Sequence, residues 1–212
     1  MNYYLPEEIE KRSMEIIGEE LIQRRSRGFG IKRMPLEDTI VKRVIHTTAD
    51  FDFDDNLIFT NNAALVAYNS LRSGIDVVTD TNMAFSGINK KNLAVYGGKA
   101  HCFIADEDIA QEAKKNGTTR AASAVDKAAL MGKPLIFAIG NAPTALLRIH
   151  ELVSQNKLKP VVVIAVPVGF VNVVESKELF LNFDIPCIIA KGRKGGSAVA
   201  ASIINALLYA KQ

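Results

Sequence analysis

Five short apolar runs constrain this chain more than any other feature. They are "IDVVTD" (75–80), "KAHCFIA" (99–105), "PLIFAIG" (134–140), "VVVIAVP" (161–167) and "PCIIAKG" (186–192). They are rich in Val and Ile, and none alternates polar with apolar. A strand with one wet face alternates; a strand covered on both faces has no reason to. Between and after them lie segments with helical spacing: "RAASAVDKAALMG" (120–132), "APTALLRIHELVSQN" (142–156), "ESKELFLN" (175–182) and the closing "SAVAASIINALLYAKQ" (197–212). Strands alternating with helices predict a parallel sheet joined by right-handed crossovers.

The expected class is therefore α/β, a flavodoxin-like doubly wound sheet of about five parallel strands in three layers. Ahead of it the pattern is helical. "PEEIEKRSMEIIGEELIQRR" opens on Pro6 and two glutamates, which suit a first helical turn, and repeats Ile9, Ile16, Ile17 and Leu21 at helical spacing. "LEDTIVKRVIHTT" predicts a second helix ending close to His46. "NNAALVAYNSLRSG" predicts a third, capped by Asn61 and stopped by Gly74. No linker, repeat or low-complexity stretch divides the chain. The expectation is one domain over 1–212, with 1–74 a mostly helical extension and 75–212 the α/β core.

With 48% apolar and 23% charged residues, the composition is that of an ordinary globular protein. A net charge of +3 is too weak to argue for nucleic acid. Cys102 and Cys187 sit in apolar runs without CxxC spacing, which predicts reduced, structural thiols. The opening "MNYYLPEEIEKRS" lacks a basic segment followed by an apolar one, and no apolar run reaches membrane-spanning length. A cytoplasmic protein with no nucleic-acid or membrane partner is expected.

Ligands of open α/β sheets bind outside the carboxyl ends of the strands. Those ends read "TDTNMAFSG" (79–87), "IGNAPTA" (139–145), "VPVGFVN" (166–172) and "KGRKGGS" (191–197). In the last, Gly195 and Gly196 lead into a helix N-terminus flanked by Lys191, Arg193 and Lys194. That suits a carboxylate or phosphate; it also suits a plain tight turn with solvated cations. No GxxxxGK[ST], no GxGxxG after a strand and no GxSxG is present. Asp50, Asp52 and Asp54 hold the first calcium-loop positions, but Asp55 stands where Gly is needed and Asn61 where Glu is needed. The run therefore reads as a solvated acidic loop. His46, His101 and His150 form no zinc spacing, and no metal site is expected. His101 and His150 read as structural. His46 ends an apolar helical face with Arg43 three residues before it, on the same side of a helix. Local pattern alone leaves it either a packing residue or a proton carrier.

Taken together, "IEKRSM", "VKRVIHTTAD", "VVTDTNMAFSGI", "TTRAASAVD", "IGNAPTAL", "VPVGFVNVVESKE" and "GRKGGSAVAASIINAL" occur in an order that resembles the precorrin-8X methylmutases, also called cobalt-precorrin-8 methylmutases, of cobalamin biosynthesis. The resemblance runs nearly the whole length. It implies an isomerase that moves a methyl group between neighbouring carbons of ring C, by a 1,5-sigmatropic shift, giving hydrogenobyrinate or, with cobalt in the ring, cobyrinate. It implies a flavodoxin-like homodimer with active sites near the subunit interface. It maps the catalytic histidine onto His46 and substrate contacts onto Ser13 and Arg43, with Thr81, Asn82 and Arg120 as further substrate-binding candidates; Arg193 joins them as a cation that the substrate's carboxylates call for.

The chemistry agrees with that reading. A methyl shift on a conjugated ring needs an electron-poor migration terminus, which protonation supplies, and imidazole, ordinarily near a pKa of roughly 6.5, can lend and reclaim a proton. An isomerisation moves no net electrons, so no cofactor is implied. A flat apolar pigment with many carboxylates calls for cations around an apolar slot, for which Met83, Phe85 and Phe170 are candidates. The alternative is a non-catalytic tetrapyrrole carrier.

Overall fold

The computed structural model describes residues 5–210. The expected closing residues Lys211 and Gln212, and the first four of the opening segment, lie outside them. Six strands form one sheet: β1 (Leu57–Phe59), β2 (Asp76–Thr79), β3 (Ala100–Cys102), β4 (Leu135–Ile139), β5 (Val162–Ala165) and β6 (Cys187–Ala190), in the order β1-β6-β5-β4-β2-β3. The last five are parallel and fall in the five apolar runs. Their order is the flavodoxin-like 2-1-3-4-5. β1 is an addition to the expected set. It pairs antiparallel with β6, Leu57 opposite Ala190. Three residues behind an acidic run are too few to show a period, and short edge strands resist unwanted pairing.

Register explains the unbroken apolar runs. Ile136 and Ala138 of β4, Val162 and Ile164 of β5, and Ile188 and Ala190 of β6 enter one core. Leu135, Phe137, Ile139, Val163, Ala165, Cys187 and Ile189 enter the other. Every strand residue there loses its water, and each Val or Ile so buried contributes about 1.5–3 kcal/mol.

The first core is covered by α4 (Ala63–Arg72), α5 (Asn82–Gly87), α6 (Lys90–Val95) and α11 (Ser197–Tyr209). The second is covered by α8 (Arg120–Ala129) and α9 (Pro143–Ser154), with Phe180 following α10 (Val173–Glu178). α7 (Glu107–Lys115) packs on α8. α11 is buried nearly all round because α2 (Pro35–Thr48) lies along its outer side. α1 (Pro6–Ser26) packs on α2 in turn. Helix entries follow short-range polar rules. Thr81, Asn89 and Thr119 each accept a hydrogen bond from the amide three residues on. Asn61 does not cap α4 as expected. Asn62 precedes that helix, and the Asn61 amide instead donates to the carbonyls of Phe183 and Ile185.

The acidic run is not a solvated loop. Asp54, in the short helix α3 (Phe53–Asn56), is fully buried. It accepts from Arg25 at 2.6 Å and lies 3.8 Å from Arg33, whose own side chain is almost wholly buried. Hydrogen bonds donated to Asp54 and Asp38 hold the Arg25 guanidinium above its ordinary range, whereas burial pulls Arg33 down. The cluster ties α1 and the α1–α2 loop to the turn before β1. Replacing Asp54 with Ala leaves two cations without their shared carboxylate and is expected to cost about 3–5 kcal/mol in urea unfolding. Asp52→Asn, at an exposed ion pair, is expected to move the same midpoint far less.

Candidate functional site

The carboxyl ends of the strands are bound into one unit by polar contacts within the chain. Chain order reverses between β2 and β4, the place where such sheets open a ligand crevice. Asp80, just after β2, fills it. Its carboxylate accepts from the amides of Gly140 (2.9 Å), Asn141 (2.8 Å) and Ala142 (2.6 Å). Burial pushes this carboxyl up, and the three amides pull against that. Thr81 Oγ1 meets Ser197 Oγ at 2.8 Å, joining the end of β2 to the start of α11. Gly140 makes the same junction possible: a Cβ there would stand 2.7 Å from the Cα of Ser197.

The glycine pair leading into α11 is also in use. The Gly196 amide donates to the Val166 carbonyl at 2.8 Å. A Cβ on Gly195, at φ +155°, would lie 2.1 Å from that carbonyl oxygen. The pair therefore closes the β6–α11 loop onto the β5–α10 loop, with one of its amides taken internally. Lys177 of α10 does the same from beneath. Its side chain is 1% exposed, and its ammonium donates at 3.0 Å to both Pro167 and Lys194 carbonyls. Burial pushes its pKa down to about 8.

Above these contacts the rim is apolar and cationic. Phe170 is 81% exposed and Met83 71%, with Val168 and Val171 also open to solvent. The Arg193 guanidinium lies 5.3 Å from the centre of the Phe170 ring. Arg120 starts α8 and Asn82 starts α5, both exposed.

His46 comes to this end of the molecule on the last turn of α2. Ile40, Val41, Val44 and Ile45 pack inward, and Ala49 closes the helix at φ +53°. Lys194 then bridges Asp50 (2.7 Å) and Asp52 (2.6 Å), fastening the segment after His46 to the β6–α11 loop. Nδ1 of His46 lies 3.0 Å from Ser13 Oγ on α1. Nε2 has no protein partner among the described residues. Arg43, one turn earlier, does not reach His46. It pairs with Glu10 at 2.8 Å and stacks over Tyr209. Ser13 and His46 are thus brought together and Thr81 faces Ser197, while Arg43, Arg120 and Arg193 stand on three different elements, α2, α8 and the β6–α11 loop. His101 bonds Asp76 at 2.7 Å, and His150 stacks on Phe183. Among the described residues no three His, Cys, Asp or Glu side chains are placed to hold a metal, and no helix is long and apolar enough to cross a membrane.

Three contributors escaped the sequence reading. Asp80 had a usable signal, an acid at a strand's carboxyl end. Lys177 had none, since "ESKE" reads as a surface helix. Lys194 was seen only as a loop cation.

Comparison with known proteins agrees along the whole chain. A family profile described as precorrin-8X methylmutase matches residues 8–210. The cobalt-precorrin-8 methylmutase of Salmonella typhimurium is 46% identical over 205 residues, 96% of this chain and 95% of that protein. That of Leptospira interrogans is 41% identical, over 94% and 91% of the two chains. The crystal structure of precorrin-8x methyl mutase from Thermus thermophilus superposes with a TM-score of 0.84 at 32% identity, covering 94% of this chain and 95% of that one.

The Asp80 junction has a direct test. Asp80→Asn turns an amide's own N–H toward the three main-chain donors, so unfolding is expected to cost about 1–3 kcal/mol less than for the parent in a urea titration.

Proposed function

The chain belongs to the precorrin-8X methylmutase family, and from that premise we propose that it acts on cobalt-precorrin-8, with His46 as proton donor and acceptor. It is an isomerase of cobalamin biosynthesis, an intramolecular methyl-transferring enzyme. The two relatives named above carry the cobalt form of the substrate in their names, which supports the cobalt-containing ring over precorrin-8X. Cobalt is held by the substrate's own nitrogens and asks for no ligand from the protein.

The observation that carries the proton role is the contact between His46 Nδ1 and Ser13 Oγ. The hydroxyl occupies Nδ1 in either direction of that hydrogen bond and orients the ring, which leaves Nε2 as the nitrogen turned to the substrate. Charged, it donates to the ring system and draws electron density from the carbon that receives the methyl. Neutral again, its lone pair takes the proton back, and the cycle consumes no acid.

The remaining candidates bind. Met83 and Phe170 offer apolar surface to a flat ring. Arg120 and Arg193 offer charge-assisted hydrogen bonds to its carboxylates. Asn82 adds an exposed amide, and Thr81 a hydroxyl that Ser197 already orients. Arg43 can trade the half-exposed Glu10 carboxylate for one from the substrate. We also propose a homodimer. The exposed Ile9, Ile16 and Ile22 of α1, the helix that carries Ser13, support it. A monomer mass by sedimentation equilibrium at micromolar concentration would remove it. The cytoplasm, where two free thiols persist, is the proposed compartment, and recovery in an exported fraction would count against it.

His46→Ala is expected to lower turnover by about 10²–10⁴-fold, and Ser13→Ala by about tenfold, in an absorbance assay for the corrin product. Parallel assays on cobalt-precorrin-8 and precorrin-8X should show the higher kcat/KM on the first. Undiminished turnover by His46→Ala sinks the assignment. Pigment binding by the parent without turnover points to a carrier instead.

A further inference from the structure

The least expected side chain near the rim is a buried lysine. Lys177 lies on α10, faces away from solvent and has no carboxylate at ion-pair distance among the described residues. Removing an ammonium from water is costly, and an apolar side chain of similar length would fill the space without that cost. The charge is retained where something needs its hydrogens, and here two main-chain carbonyls do.

One belongs to Pro167 at the head of the β5–α10 loop, the other to Lys194 in the β6–α11 loop. The same two loops are zipped by two amides: Gly196 donates to Val166 at 2.8 Å, and Gly169 to Arg193 at 3.1 Å. The close approach of Gly195 to Val166 brings them near enough for this. Phe170 and Arg193, the aromatic and the cation of the rim, stand on these two loops, one on each. Lys194 reaches on from the second loop to Asp50 and Asp52, behind His46. The ammonium thus sits at the root of the structure that offers charge and apolar surface to a ligand. Buried and committed to two carbonyls, it does not itself meet solvent.

We propose that Lys177 is a positioning residue, whose ammonium staples the β5–α10 and β6–α11 loops into a single cradle for the carboxylates of the substrate. The proposal rests on the functional reading above. A cradle held open or misplaced binds ground state and transition state alike less well, so its loss falls on KM and not on kcat.

The test is Lys177→Met, which keeps length and apolar bulk. Its KM, and its Kd for the corrin product by absorbance titration, should rise about tenfold or more while kcat stays within about threefold. Its melting temperature should fall by a few degrees at most, because the two carbonyls lose their donor while a buried charge is also removed. Lys177→Gln, which keeps N–H donors without charge, should fall between the parent and Met; it also carries the test should the Met variant fail to fold. Unchanged KM and Kd beside an active parent, or a collapse of kcat at constant KM, would overturn the positioning role alone. A parent that neither binds nor converts the pigment would overturn the functional reading with it.

Discussion

An apolar stripe on one helix decides where His46 stands. Ile40, Val41, Val44 and Ile45 of α2 are buried against α11, itself embedded between α2 and the sheet. Once that stripe is seated, the helix cannot rotate or slide without exposing several large side chains, each a loss of about 1.5–3 kcal/mol. His46 follows directly after the stripe. The imidazole therefore inherits its position from the core, and only its ring angle is left for Ser13 to set. A helix outside the sheet is thereby anchored through α11 to the sheet itself.

Polar contacts then finish what apolar packing begins. Packing places layers to within a side chain's width, but it does not shape loops. At the carboxyl ends the loops are shaped by groups with no other outlet: a carboxylate under three amides, an ammonium under two carbonyls, two hydroxyls facing each other. Each is wholly or partly buried, so each contact forms where water competes less than at the surface. The rim above stays free of such ties and carries the exposed Met83 and Phe170 with Arg120 and Arg193. Rigid foundations beneath an unsatisfied surface are the arrangement a large rigid ligand favours.

How much was legible depended on the range of the cause. The five parallel strands could be read because burial on both faces leaves a mark at every residue, as in "VVVIAVP". The second helix and its end near His46 could be read from three apolar positions, Ile40, Val44 and Ile45. β1 could not, having only three residues. Nor could the buried state of Asp54, whose partner Arg25 lies 29 residues away and whose neighbours in sequence are acids that do reach water. Lys177 is the same case: its two acceptors are main-chain carbonyls, invisible in side-chain pattern. The pairing of Ser13 with His46 spans 33 residues, and neither spacing nor family resemblance implied it: the resemblance singled out each residue separately, Ser13 as a substrate contact.

The Asp80 carboxylate has one more consequence. In a scaffold of this type the gap at the strand reversal is where a soluble anion ordinarily lodges. Here the anion is part of the backbone's own cargo, attached three bonds from the chain and present at an effective concentration no metabolite pool can match. It cannot be washed out, diluted or displaced by mass action. A free anion seeking that gap would have to compete with a tethered one for the same three amides.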